Sequence, residues 1–248
     1  MTFQELQDYI YGIIQEKSLK KFLPAWINNA ILKVASDFEL PALRLINPET
    51  VIVEDQSTWL WPMPNDYHKK LFRCNYRDTD GRLKEVTVHD RIQDIEKRDH
   101  TRIGERITSV ASAIYEDETS VVPAPGQKAY LAIDPLPQTP PVNLFVYYYR
   151  LPRVLKNAKD VCGCIPLEYH ERVIPPIVMV QNYQFLLDMV INPPISSLQY
   201  WESLVNEGLN GREGAWIGLR YYLQKLKGPP RRTGGRDPVG WSPWRYGR

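Results

Sequence analysis

The chain has 248 residues, enough for one large domain or two small ones, and its 43% hydrophobic and 24% charged residues are ordinary globular usage. No apolar stretch approaches the ~18 residues of a membrane span, and the start Met1-Thr-Phe-Gln-Glu-Leu6 lacks the basic and apolar blocks of a signal peptide, so composition predicts a soluble, non-secreted protein. The net charge of +2 conceals an asymmetry: residues 211–248 carry nine Lys/Arg against Glu213 and Asp237, which is +7 and leaves −5 for residues 1–210.

Thr2 and Glu5 have capping-box spacing, and Phe3, Leu6, Ile10, Ile13 and Ile14 follow at helical intervals, which predicts a first helix. A second is predicted over 22–38, with Pro24 in its first turn, where a missing N–H costs nothing. The short Leu19-Lys20-Lys21 link makes the two an αα-hairpin. Strand signals then run from Pro41 to Arg150: β-branched and aromatic residues at 51–53, 58–61, 71–74, 83–88, 107–115, 129–133 and 144–149, separated by turn-forming residues. Asp80-Gly81 marks a hairpin, and 90–97 a short helix. Seven short strands predict a small antiparallel sandwich or barrel.

Helices return after Pro152. One opens at Pro166, and Pro175-Pro176 is expected to bend or break it, because proline lacks the N–H and crowds the preceding turn. A further helix is predicted over 196–209 and a last one over 213–227. Pro229-Pro230 and the glycines that follow leave 228–248 without periodicity, an extended tail. The order helices, strands, helices predicts an α+β protein: a helical bundle body made of 1–40 and 153–227, an inserted antiparallel β-sandwich or barrel domain at 41–152, and the extended C-terminal tail at 228–248.

Patterns for catalysis are missing: no phosphate loop, no dinucleotide fingerprint, no His-Glu-x-x-His and no Gly-x-Ser-x-Gly. Cys162-Gly-Cys164 with His170 falls short of the four ligands of a structural zinc, so it reads as a loop with free thiols that a cytosolic protein keeps reduced. The general-base candidates are His68, His89, His100 and His170. His170 sits in Glu168-Tyr-His-Glu171, which reads as a solvated helix start because carboxylates favour that end of the dipole. Trp59, Trp61 and Tyr147-Tyr-Tyr149 read as strand packing, with Tyr147 and Tyr149 on one face and Tyr148 on the other. No enzyme, cofactor or metal is expected. The exception to these bland readings is the tail, where Arg231, Arg232, Arg236, Trp241, Trp244, Arg245 and Tyr246 combine the residue types that anchor protein interfaces or stack on single-stranded nucleic acid.

Four segments, in order, are similar to the head-to-tail adaptor (connector, head completion) proteins of tailed bacteriophages. They are Trp26-Ile-Asn-Asn-Ala30; Trp59-Leu-Trp-Pro-Met-Pro-Asn-Asp-Tyr-His-Lys69; Ala129-Tyr-Leu-Ala-Ile-Asp-Pro-Leu-Pro with Leu144-Phe-Val-Tyr-Tyr-Tyr-Arg-Leu-Pro152; and Ile165-Pro-Leu-Glu-Tyr-His170. The resemblance implies a virion structural protein of the neck, assembled in the bacterial cytoplasm. It further implies a homo-oligomeric ring, dodecameric to match a portal protein, with a tail or nozzle protein as the other partner and DNA passing through the ring. It brings no catalytic residues, and no membrane is implied. The alternative is a nucleic-acid-binding protein that uses the basic, aromatic tail.

Overall fold

The computed structural model describes residues 1–77, 81–98, 102–114, 129–189, 195–206, 208–209, 212–214, 217–220 and 223. Helix α1 is Phe3–Ile14, and its capping box forms as the sequence predicts: Glu5 N–H donates to Thr2 Oγ1 at 3.3 Å, and Thr2 N–H to the Glu5 carboxylate at 2.8 Å. A 3₁₀ turn, Lys17–Phe22, leads into α2, Leu23–Asp37, with Pro24 at its start. The stripe Leu23, Trp26, Ile27, Ala30, Ile31 and Val34 is buried.

The strands are β1 Glu49–Val53, β2 Leu60–Pro62, β3 Tyr67–Arg77, β4 Leu83–His89, β5 Ile103–Gly104, β6 Ser109–Ile114, β7 Ala129–Asp134, β8 Leu136–Pro137 and β9 Val142–Arg150. Seven of them make one sheet in the order β1-β9-β3-β4-β6-β7-β2. Its two edge strands, β1 and β2, come into contact, so the sheet nearly closes into a barrel. Gly81, at φ +78°, lies in the β3–β4 hairpin, a conformation that glycine adopts without strain. β5 and β8 add a two-residue parallel pair.

The sheet is mixed, which corrects the expected antiparallel domain. β4 and β6 run parallel, with Val88 opposite Val110. Parallel neighbours need a crossover rather than a hairpin. The segment between them supplies it, and it carries the short helix α3, Gln93–Glu96.

The expected helical bundle body is also corrected. The protein is α+β, but its main architectural unit is the nearly closed seven-stranded sheet. Helices α1 and α2 pack with α4, His170–Asp188, and α4 packs with α5, Ile195–Asn206. A bundle requires each helix to bury its apolar stripe on other helices. Here the irregular segment 151–166 takes part of that space, placing Leu155, Cys162 and Ile165 in the helical core, while Tyr149 enters it from β9. The same segment satisfies the start of α1: Phe3 N–H donates to the Asp160 carbonyl at 2.7 Å and Gln4 N–H to that of Ala158 at 3.1 Å.

Of the two outcomes expected at Pro175 and Pro176, bending or breaking, a break of α4 does not occur. The helix runs through both, and they are buried with Val173, Ile174, Ile177, Val178 and Met179. Each proline forfeits a helical hydrogen bond, and burial of an almost continuous apolar run offsets that loss. The expected helix from Glu213 is displaced: Arg212–Glu213 (β11) pairs with Gly208–Leu209 (β10), and helix occupies 217–220. The tail, 228–248, and with it Arg231, Arg232, Arg236, Trp241, Trp244, Arg245 and Tyr246, lies outside the described residues. No helix among the described residues is long and apolar enough to cross a membrane.

Candidate functional site

Two clusters of polar and ionisable side chains stand out, and both lie where the helices meet the rest of the chain. The first is built on an irregularity in β3. Between Tyr67 and Arg73 the register against β9 slips three times, so Tyr67, Lys69, Leu71 and Arg73 face Arg150, Tyr149, Tyr148 and Tyr147 in turn. Lys70, at φ +49°, lies inside the slipped region. Regular alternation sends neighbours to opposite faces, and repeated bulges break that rule. Consecutive residues His68 and Lys69 consequently both reach α2.

Lys69 is buried, and its Nζ donates to the carbonyls of Ser36 at 2.7 Å and Phe38 at 2.9 Å. A cation here completes the C-terminal carbonyls of α2 and meets the negative end of its dipole. Burial nevertheless holds the Lys69 pKa below the ordinary lysine range, with Glu39 and Asp37 opposing that shift. Lys70 reaches outward and pairs with Glu39, which raises its pKa.

His68 is fully buried, with Nε2 3.4 Å from Ser36 Oγ and no side-chain partner for Nδ1 among the described residues. Burial, reinforced by the Lys69 charge, lowers its pKa from 6.5 to about 4. It is therefore a neutral ring at physiological pH. Asp66 closes the joint from the other side: its carboxylate accepts from Tyr148 Oη, and its carbonyl accepts from Leu151 N–H at 2.7 Å. Tyr67 Oη donates to Ser112 Oγ at 2.8 Å. Tyr147 and Tyr149 both pack on Phe72, while Tyr148 packs on Tyr67, so the three tyrosines alternate as expected and serve as packing. Trp61 is likewise buried.

Asn28 of α2 holds the outgoing chain. Its Oδ1 accepts from Leu155 N–H at 2.8 Å, and its Nδ2 donates to the Leu155 carbonyl at 3.1 Å and to that of Pro24 at 2.8 Å. One side chain thereby satisfies both backbone groups of a buried residue that belongs to no strand or helix.

The second cluster is Cys162, Cys164 and His170. The expected solvated helix start holds for Glu168 and Glu171, which are exposed, but not for His170, which is fully buried. Its Nε2 lies 3.0 Å from the Cys162 carbonyl and 2.8 Å from the Ile165 carbonyl. Carbonyls only accept, so Nε2 carries the proton. Nδ1 is 3.3 Å from the Met1 amino nitrogen. Burial opposes charging of this ring, but the Cys162 side chain and the Ile165 carbonyl outweigh it and raise its pKa.

The two sulfurs are 3.3 Å apart. Hydrogen bonding from Cys164 lowers the Cys162 pKa to about 5, and the same contact and burial push Cys164 above the ordinary thiol range. The two cysteines thus hold one proton between them. Cys74, alone in the β core, is pushed up to about 12 by burial.

Of the remaining histidine candidates, His89 does not join either cluster. His89 Nδ1 is 4.0 Å from Asp94, and His100 lies outside the described residues. Among the described residues no group of three or more His, Cys, Asp or Glu is arranged to hold a metal ion. No family model matches the chain, and no curated protein matches it.

Proposed function

We propose that this chain is a virion structural protein of a tailed bacteriophage, a head-to-tail adaptor that assembles as a ring between portal and tail. The observation that carries the reading is where the resembling segments fall. Asn28, from the first segment, clamps Leu155. Asp66 and Lys69, from the second, bind Tyr148, Leu151 and the end of α2. Tyr148 and Tyr149, from the third, face the β core and the helical core respectively. His170, from the fourth, holds the turn that opens α4. The second and third segments join the end of α2 to the sheet, and the first and fourth hold the segment 151–166 against the helices, in each case by packing and hydrogen bonds rather than by an arrangement of nucleophile, base and oxyanion donor. A subunit that must transmit contact from one ring to the next needs such a rigid joint.

In this reading the subunits form a dodecameric ring that DNA traverses, and residues 228–248 reach a neighbouring subunit or the portal through Trp241, Trp244 and Tyr246. The arginines Arg231, Arg232, Arg236 and Arg245 set register more than affinity. The test is imaging of the purified chain mixed with a portal ring. Stacked rings are the expected result, and Trp241→Ala with Trp244→Ala should weaken the attachment while leaving the melting temperature unchanged. A chain that stays monomeric and does not bind portals overturns the proposal. Binding to single-stranded nucleic acid that weakens steeply with salt would instead favour a nucleic-acid-binding protein.

A further inference from the structure

We propose that Cys162 and Cys164 are a redox-active dithiol that closes to an intramolecular disulfide when it meets a low-molecular-weight disulfide such as oxidised glutathione. Three features of the site support this.

The sulfurs lie 3.3 Å apart, so they must close by about 1 Å to reach the ~2.05 Å of a disulfide bond. The residue between them is glycine. Gly163 is exposed and, lacking a Cβ, has a wider choice of backbone angles than any other residue as the small ring closes. The two thiols also differ in access: Cys162 is 3% exposed, whereas Cys164 is half-buried.

The difference in access orders the chemistry. Cys164 meets the small disulfide first. As the shared proton passes to Cys162, the Cys164 thiolate attacks one sulfur and forms a mixed disulfide, releasing one small thiolate. Cys162 then loses its proton and attacks Cys164 Sγ, breaking the mixed disulfide and releasing the second small thiolate. The two protein sulfurs are oxidised to one disulfide, and one small disulfide is reduced to two small thiolates, which take up the one proton the pair carried and one from water. At rest the charge sits on Cys162; its transfer to Cys164 supplies the first nucleophile, and once the mixed disulfide has formed the Cys162 proton passes to the released small thiolate.

The turn that would be locked is not peripheral. Its carbonyls at Cys162 and Ile165 receive the His170 Nε2–H, and Val161 bridges to Thr2 at the cap of α1. Oxidation would therefore tie the start of α4 to the start of α1. Cys74, buried and poorly ionised, serves as an internal control.

The experiment treats the folded full-length chain with oxidised glutathione and follows thiol titration and intact mass. The expected result is loss of two of the three thiols with no retained glutathione, and slower amide exchange in the Cys162–Cys164 turn. Cys162→Ser should trap one glutathione on Cys164. Cys164→Ser should take up glutathione at least tenfold more slowly, because only the buried Cys162 remains. Retention of a mixed disulfide by the unsubstituted chain overturns the proposal, as does persistence of all three thiols while circular dichroism shows the fold intact. Failure of these results leaves the adaptor reading untouched, because neither portal binding nor ring formation enters the measurement.

Discussion

Mild acid should destabilise this protein through one buried ring. His68 has an ordinary pKa of 6.5 when the chain is unfolded and about 4 in the fold, where burial and the neighbouring Lys69 charge keep it neutral. Between those values the unfolded chain binds a proton that the folded chain refuses, so the contribution of this group is complete above pH 6.5 and declines as pH falls toward 4. At about 1.4 kcal/mol per pH unit, the full span is worth about 3 kcal/mol. For a chain of this size that corresponds to about 6–12 °C in Tm. Carboxylates such as Asp55 and Asp160, whose pKa values hydrogen bonds lower, also weaken the fold in acid, so the comparison must be differential. His68→Gln keeps a polar group facing Ser36 and removes the titration. Urea denaturation of both proteins at about pH 7, about pH 5.5 and about pH 4.5 should show the unsubstituted chain losing about 2 kcal/mol more than the variant over that range. Parallel pH profiles would refute the reasoning, whatever the variant's stability at neutral pH.

Two further substitutions probe the contacts that hold the parts together. Asn28→Ala strands both backbone groups of buried Leu155 and should cost about 2–3 kcal/mol by thermal melting, while Asn28→Asp, which still accepts from Leu155 N–H, should lose less. Arg98→Ala removes the cation 2.7 Å from the Asp134 carboxylate, whose side chain is 4% exposed, and should cost about 2–3 kcal/mol in urea. A double-mutant cycle with Asp134→Asn should return a coupling above about 1 kcal/mol, and a coupling near zero would remove this pair from the crossover's support.

The local elements were legible because their signals are local. The capping box at Thr2 and Glu5 and the apolar stripe of α2 formed as read, and each strand of the seven-stranded sheet falls on a predicted β-rich run. What failed needed information from elsewhere in the chain. Pro175-Pro176 violates a local helix rule, and only burial in the core tolerates it. The parallel pairing of β4 and β6 depends on the path of the crossover, which no period in either strand encodes. A two-residue strand such as β5 has no period at all. His68 and Lys69 were missed as a pair because alternation predicts opposite faces, and the bulges that align them leave no compositional mark. His170 misled for a related reason: Glu168 and Glu171 mark a solvated turn, yet the ring between them points inward. Cysteine spacing read Cys162 and Cys164 only as a loop with free thiols, and the sulfur separation and unequal exposure that suggest further chemistry exist only in the fold.

The fragment 41–152 provides the strictest test of how sheet and helices depend on each other. It keeps the seven strands and the β core around Trp61, Leu71, Leu131, Leu144, Val146 and Tyr148, so it should fold and give a strand-rich circular dichroism spectrum. It loses Ser36, Phe38 and Glu39, hence the two carbonyl partners of Lys69 Nζ, the Ser36 contact of His68 and the ion pair of Lys70. It also uncovers the face on which Phe72 and Tyr149 pack against the helical core, so its stability should fall below that of the full chain. With α2 gone, water reaches His68 and the larger cause of its low pKa is removed, leaving the Lys69 charge. Its imidazole resonances should then titrate nearer 6.5 in the fragment than in the full chain, where they titrate at about 4. A random-coil spectrum would refute the division at 41 and 152. A folded fragment in which His68 still titrates near about 4 would show that the sheet alone buries the ring, and would remove α2 from the account of acid sensitivity.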